Sequence, residues 1–206
     1  MDTWALVPVR QFPWLHRIDD FALSETQRNW LRIGLFEQTL KKLLKVRGIR
    51  DVMVLSWDTQ LLAAARALGA RTIHESRSGE LGTELLRATQ CLKSWWVSDV
   101  LIVPADLPLL RSDDIEKIIH LGRYANSIVL APDRTEQGTN LLFLRPPDLV
   151  PYAFGSGSFT HNLELARKSG AVLQVYRSYR VALDIDTPDD LRDYLQLMGN
   201  QHQSST

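Results

Sequence analysis

The chain has 206 residues, 45% of them hydrophobic, which is enough for one domain with a full core. Its 24 basic and 24 acidic side chains cancel; that balance argues against a nucleic-acid partner and leaves any anionic ligand to a local site, not a global field. The lone cysteine, Cys91, excludes an internal disulfide and reads as a packing thiol in a reducing compartment. No stretch approaches the ~20 apolar residues of a membrane span, and the apolar run in MDTWALVPVR is too short for a signal peptide, so the expectation is a cytoplasmic protein with no membrane partner.

A short apolar run at 4–9 predicts the first buried strand. Ser24 then opens a helix, with Gln27 completing the capping box in SETQ. Leu31, Leu35, Phe36, Leu40, Leu43 and Leu44 recur at helical spacing, with Gly34 inside the pattern. A strand at 51–56 leads to a helix at 60–68 closed by Gly69. Strand 71–74, helix 81–95 and strand 100–103 follow, and Ser112 is read as the cap of helix 113–121. Strands 127–131 and 140–144 succeed each other with no helix between, so part of the sheet is expected to be antiparallel. Helix 159–168 stops near Gly170, strand 171–175 follows, and Thr187 caps a last helix that has Pro188 at its first position. Residues 1–198 are expected to form the domain and the polar stretch 199–206 a disordered tail. Trp30 and the Trp95-Trp96 pair are read as core or interface.

Strands alternating with helices indicate an α/β protein with a mostly parallel, mixed sheet. In such sheets ligands bind beyond the carboxyl ends of the strands, and four segments put chemistry there. In VLIVPADLPLL a strand ends at Pro104-Ala105-Asp106, so Asp106 emerges at that end; on spacing alone it is equally readable as a turn residue. In VALDIDTPDDL, Asp184 and Asp186 point to one side if the segment is extended. Like charges so placed repel unless a cation neutralises them, and magnesium prefers such hard oxygens. A helix amino end decorated with acids explains Asp189 and Asp190 but not Asp184. APDRTEQGTNLLFL carries Gly138-Thr139-Asn140, which reads as an ordinary connection or as a place where backbone and hydroxyl approach an anion. AFGSGSFTHNLELA puts two glycines and two serines before a helix, where free N–H groups could face an anion, although it is not a Walker A loop.

VPVR, PADLPLL, APDR with GTN, FGSGSF and LDIDTPDDL occur together and in order over nearly the whole chain. In this combination the sequence resembles the 2-phospho-L-lactate guanylyltransferase family of coenzyme F(420) biosynthesis, relatives of the molybdopterin-guanine dinucleotide transferases. The resemblance implies a Rossmann-like, three-layer nucleotidyltransferase fold of the nucleotide-diphospho-sugar transferase type. It implies GTP as donor, magnesium as metal, and 2-phospho-L-lactate, phosphoenolpyruvate or 3-phosphoglycerate as acceptor. By analogy Asp106, Asp184 and Asp186 would bind the metal and carry catalysis, and Thr139, Gly155 and Ser158 would grip the acceptor phosphate. Arg10, His16, Arg17 and Gly82 are the positions assigned to the nucleotide. This sequence departs from the family in the first loop, where the motif lysine is absent and His16 or Arg17 stands nearest to replacing it. It departs again at Gly82, where the family commonly has asparagine.

An acceptor phosphate is already a nucleophile at neutral pH, so the task is to bring two anions together by alignment and charge neutralisation. Aspartates facing a glycine-serine loop suit that task. Two other readings remain open: a related nucleotidyltransferase with another nucleotide or acceptor, and a catalytically weak relative that acts by binding or assembly, with a homodimer left open as the assembly.

Overall fold

The computed structural model describes residues 3–10, 24–185 and 187–203. Along the chain run β1 (Thr3–Pro8), α1 (Glu25–Leu43), β2 (Ile49–Ser56), α2 (Thr59–Ala67), β3 (Arg71–His74), α3 (Leu81–Ser94) and β4 (Val100–Ile102). They continue with α4 (Ser112–Leu121), β5 (Ser127–Pro132), β6 (Thr139–Arg145), α5 (Ser158–Ser169), β7 (Val172–Val175), α6 (Tyr179–Ala182) and α7 (Pro188–Gln203).

The strands form one seven-stranded sheet in the order β3-β2-β1-β4-β6-β5-β7. β6 is antiparallel to both β4 and β5, and the other pairings are parallel. The expected mixed sheet is therefore present. Its strands read as continuous apolar runs because helices cover both faces. Period two splits each run between two cores. Ala5, Val7, Val52, Val54, Leu101 and Phe143 pack toward α1, α2 and α4. Trp4, Leu6, Met53, Leu55, Ile102 and Leu142 pack toward α3 and α5. Each fully buried large aliphatic or aromatic side chain contributes about 1.5–3 kcal/mol from area removed from water.

The helix boundaries follow local chemistry. Ser24 and Gln27 close the capping box that SETQ announces. Gly34 does not interrupt α1. Asp190 accepts from the Thr187 amide at 2.9 Å while Thr187 Oγ1 accepts from the Asp190 amide at 3.3 Å, so Thr187 caps α7 as expected. Ser112 differs from expectation. It is the first residue of α4, and the Asp114 carboxylate accepts from the Arg111 amide instead. α6 has only four residues and too short a periodic pattern to be seen beforehand. The polar stretch expected as a tail from 199 is helical as far as Gln203. Trp30 and Trp96 are 73% and 94% exposed and belong to neither core. Among the described residues, no helix is long and apolar enough to cross a membrane.

One buried acid ties α4 to the end of the sheet. Asp114 is fully buried and accepts from Tyr176 Oη at 2.7 Å, Ser178 Oγ at 3.1 Å and twice from Arg180, at 2.7 and 2.9 Å. Burial alone would raise its pKa, but the bonds from Arg180, Tyr176 and the Arg111 amide outweigh it and hold the carboxyl below its ordinary 3.8. A group so depressed stabilises the fold above its unfolded pKa and loses that contribution as pH falls through the folded value. Asp114→Ala is expected to lower stability at pH 7 by about 2 kcal/mol in urea unfolding, because it removes the buried acceptor of several partly buried donors. The gap between variant and wild type should narrow as the pH is taken below 4.

Candidate active site

β1 is where the strand order reverses: the chain passes from β1 to β2 and β3 on one side, while β4 lies on the other. A crevice forms at such a switch point, beyond the carboxyl ends. β4 ends at Ile102, and the Val103 amide still donates to Leu6 O at 2.9 Å. Ala105, Leu107 and Leu110 are then buried, which anchors the turn on both sides of Asp106 and leaves its side chain to the crevice. The segment after α6 alternates in the same way: Leu183 and Ile185 are fully buried and Asp184 between them is not. The Ile185 amide donates to Asp106 O at 3.1 Å, stitching the two acidic segments together.

Asp106 and Asp184 line one cleft of about 340 Å³ with Pro104, Asp133, Gln137, Gly138, Thr139, Asn140, Gly155 and Ser156. Asp106, Thr139, Gly155 and Asp184, from segments distant in the chain, thus surround a single space. Among the described residues lining it there are three aspartates and no lysine or arginine.

Thr139 reaches this end of the sheet because β6 runs opposite to β4, with Leu142 paired to Ile102. The loop before it is organised by Asp133, a residue the sequence reading passes over. Its carboxylate accepts from the Thr135 amide and hydroxyl, the Gln137 amide and the Gly138 amide, at 2.7 to 3.1 Å. Any Cβ on Gly138 would lie 2.8 Å from Asp133 Oδ2, so the loop closes only with glycine there. The next residue outward, Arg134, pairs with Asp190 and Asp193 and fastens the loop to α7.

The FGSGSF segment behaves differently from a bare anion-binding helix end. Gly155 has φ +91 with open space around its would-be Cβ, so its glycine is required by conformation, not by crowding. The Ser158 amide donates to Gly155 O at 3.1 Å and the Phe159 amide to Gln137 O at 3.3 Å, so those two amides are used within the protein. Ser158 is buried, and its hydroxyl donates to Thr139 Oγ1 at 3.3 Å. Asn140 and Asn162 are also buried; Asn140 Nδ2 donates to Val181 O at 2.9 Å, and Asn162, which the sequence reading passes over, donates from Nδ2 to Thr139 Oγ1 at 3.0 Å. The signal for Asn162 was present: it falls one helical turn after Ser158, on the face that buries Phe159 and Ala166.

Arg10 and Gly82, two of the positions assigned to the nucleotide, do not line this cleft. Arg10 donates from Nε and Nη2 to Glu75 Oε2, at 3.2 and 3.0 Å, and from Nη1 to Gly79 O at 2.7 Å. It also stacks 5.9 Å from the centre of the Trp57 ring. Glu75 is fully buried, and burial pushes its carboxyl up while the bond and charge of Arg10 pull it down. Gly82 lines a second cleft of about 220 Å³ with Glu80, Thr83, Leu86, Pro151 and Tyr152. A Cβ on Gly82 would come within 2.8 Å of Tyr152 O, so this backbone approach replaces the asparagine side chain that the resemblance leads one to expect. His16, Arg17 and Asp186 lie outside the described residues.

A nucleotidyl transferase from Methanothermobacter thermautotroptrophicus superposes with a TM-score of 0.74, covering 98% of this chain and 99% of that one at 15% identity, which shows the shared fold. A phosphoenolpyruvate guanylyltransferase from Rubrobacter xylanophilus is 31% identical over 191 residues, 93% of this chain and 92% of the relative. A 2-phospho-L-lactate guanylyltransferase from Methanocaldococcus jannaschii is 32% identical over 176 residues, 85% of this chain and 74% of the relative. The family model described as guanylyl transferase CofC like matches residues 3–206. With its folding pattern, its acidic cleft and a match over essentially its full length, the chain is a nucleotidyltransferase that belongs to the CofC-like guanylyl transferase family.

Proposed function

We propose that this protein transfers GMP from GTP to the phosphate of a small phosphorylated acid, phosphoenolpyruvate, 2-phospho-L-lactate or 3-phosphoglycerate, releasing pyrophosphate, as a cytoplasmic step of coenzyme F(420) biosynthesis. The observation that carries this reading is the single cleft in which Asp106 and Asp184 face Thr139 and Gly155. The names of the 31% and 32% identical relatives supply the guanylyl donor and two of the acceptors.

An oxygen of the acceptor phosphate forms the new bond to the α-phosphorus of GTP. The bond from that phosphorus to the bridging oxygen breaks, and pyrophosphate leaves with the electron pair. A phosphate monoester is mostly dianionic near neutral pH, its second pKa lying at about 6, so no side chain has to remove a proton. The residues of the chain instead orient and neutralise. Thr139 and the backbone at Gly155 hold the acceptor phosphate, with Ser158 behind Thr139. Gly82, which lines the second cleft, and Arg10, which holds Gly79 O just ahead of it, are the described residues given to the nucleotide.

Two phosphate-bearing substrates cannot enter a cleft lined by carboxylates without a countercharge. The donor set fits a hard divalent cation, because Asp106 and Asp184 bring carboxylate oxygens to the same cleft and such hard oxygens suit magnesium. Magnesium held by Asp106, Asp184 and Asp186 would supply positive charge against the phosphates.

Pyrophosphate release is expected when GTP, magnesium and one of the three acids are combined, and not when EDTA is added or ATP, CTP or UTP replaces GTP. Silence with all three acids beside an active relative would refute the acceptor class, and turnover with another nucleotide would refute guanine selection. Asp106→Asn and Asp184→Asn should each lower kcat at least about 100-fold, the scale for removing one transition-state charge stabiliser, with thermal midpoints near that of wild type. Undiminished kcat in either variant removes that residue from the metal site.

A further inference from the structure

Three hydrogen bonds around Asn162 fix the direction of a proton in the cleft. Asn162 is 1% exposed, and its Nδ2 donates to Ala153 O at 2.9 Å and to Thr139 Oγ1 at 3.0 Å. A carbonyl only accepts, so Ala153 O sets the orientation of the amide: nitrogen faces it and the oxygen cannot. The two N–H bonds of Nδ2 are thereby both used. Asn162 Oδ1 is left buried with no hydrogen-bond partner, so this side chain is held for what its nitrogen does.

Thr139 Oγ1 receives that bond and a second one from Ser158 Oγ at 3.3 Å. A hydroxyl has two acceptor lone pairs and one proton. With both lone pairs engaged by donors, the Thr139 hydroxyl is left only to donate, and the space it lines is the cleft shared with Asp106 and Asp184. The Ser158 and Phe159 amides are turned to Gly155 O and Gln137 O, so they do not substitute for it.

We infer that Asn162 is a positioning residue: it forces the Thr139 hydroxyl to present its proton to the phosphate of the acceptor acid. This rests on the acceptor site proposed above. Asn162 acts through Thr139 and touches no substrate. An anion gains a donor of fixed direction, and a ligand that needs an acceptor at this point is rejected.

The test is a double-mutant cycle on Thr139→Val and Asn162→Ala, with Asn162→Asp alongside, reading KM for phosphoenolpyruvate and for GTP separately. A hydrogen bond to a charged group corresponds to about tenfold to hundredfold in affinity. Asn162→Ala and Thr139→Val should each raise the phosphoenolpyruvate KM by roughly that factor and leave the GTP KM unchanged. In the Thr139→Val background, Asn162→Ala should add nothing. Asn162→Asp should do more harm than alanine, because an ionised carboxylate faces Ala153 O and takes the Thr139 proton for itself. Equal rises in both KM values, or additive effects in the cycle, would overturn the inference. An effect of Thr139→Val without any effect of Asn162→Ala would overturn it while leaving the acceptor site standing. A phosphoenolpyruvate KM untouched by Thr139→Val would sink the acceptor-site assignment and this inference with it. If the Asn162 variants do not fold, the side-chain amide resonance of Asn162 in labelled wild-type protein decides. A shift on adding phosphoenolpyruvate that disappears in Thr139→Val supports the inference, and an unmoved resonance overturns it.

Discussion

The cleft exists because β6 runs against its neighbours. A parallel strand in that position would deliver its carboxyl end to the crevice and its amino end, with the preceding loop, to the far side of the molecule. Reversed, with Leu142 against Ile102 and Leu141 against Ala131, β6 places Thr139 and Asn140 at the same edge as Asp106. The register cannot slip by one residue without exchanging the sheet faces of Leu141, Leu142, Phe143 and Leu144, all of them fully buried. Hydrophobic packing on both faces is therefore what holds a hydroxyl opposite a carboxylate.

Around that strand the loops are held by polar bonds that reach across the molecule. Asp133 folds its own loop through four accepted bonds. Arg134 then joins the loop to Asp190, the same acid that caps α7 through Thr187. The first turn of α7 immediately follows the LDID segment, so the Asp133 loop and the acidic segment share one anchor. The link between them is a guanidinium, not backbone continuity.

Much of this was legible in the sequence, for reasons that differ by element. Strands buried on both faces write themselves as apolar runs, and caps such as SETQ and TPDD write themselves as local polar patterns. The strand-to-strand passage from Ser127 to Arg145 announced the reversal because no crossover helix separates the two runs. What stayed hidden was set by partners distant in the chain. Asn162 looks like any polar residue of a helix until its turn is seen to face Thr139, 23 positions away. Asp133 reads as an ordinary turn acid. Gly82 reads as a lost asparagine, and only the Tyr152 carbonyl 2.8 Å from its would-be Cβ explains why no side chain is tolerated there. Trp30 and Trp96 look like core by composition and are exposed because neither falls on a face that a strand covers.

The chemistry proposed for the cleft asks it to hold carboxylates and a phosphate side by side. Two unit charges 4 Å apart interact by about 4 kcal/mol at an effective dielectric of 20. A basic side chain paired with a carboxylate satisfies it and weakens its hold on a cation. A phosphate, on the other hand, needs donors. Neutral donors resolve the conflict, since a threonine hydroxyl binds an anionic oxygen without competing for the carboxylates as a counter-ion. They are useful only when their protons are aimed, because a free hydroxyl would turn toward the nearest carboxylate. Asn162 and Ser158, by donating to Thr139 from the side of α5, supply that aim. On the function proposed, buried amide, hydroxyl and aspartate together form one arrangement that lets acids and an anion share a small space without cancelling each other.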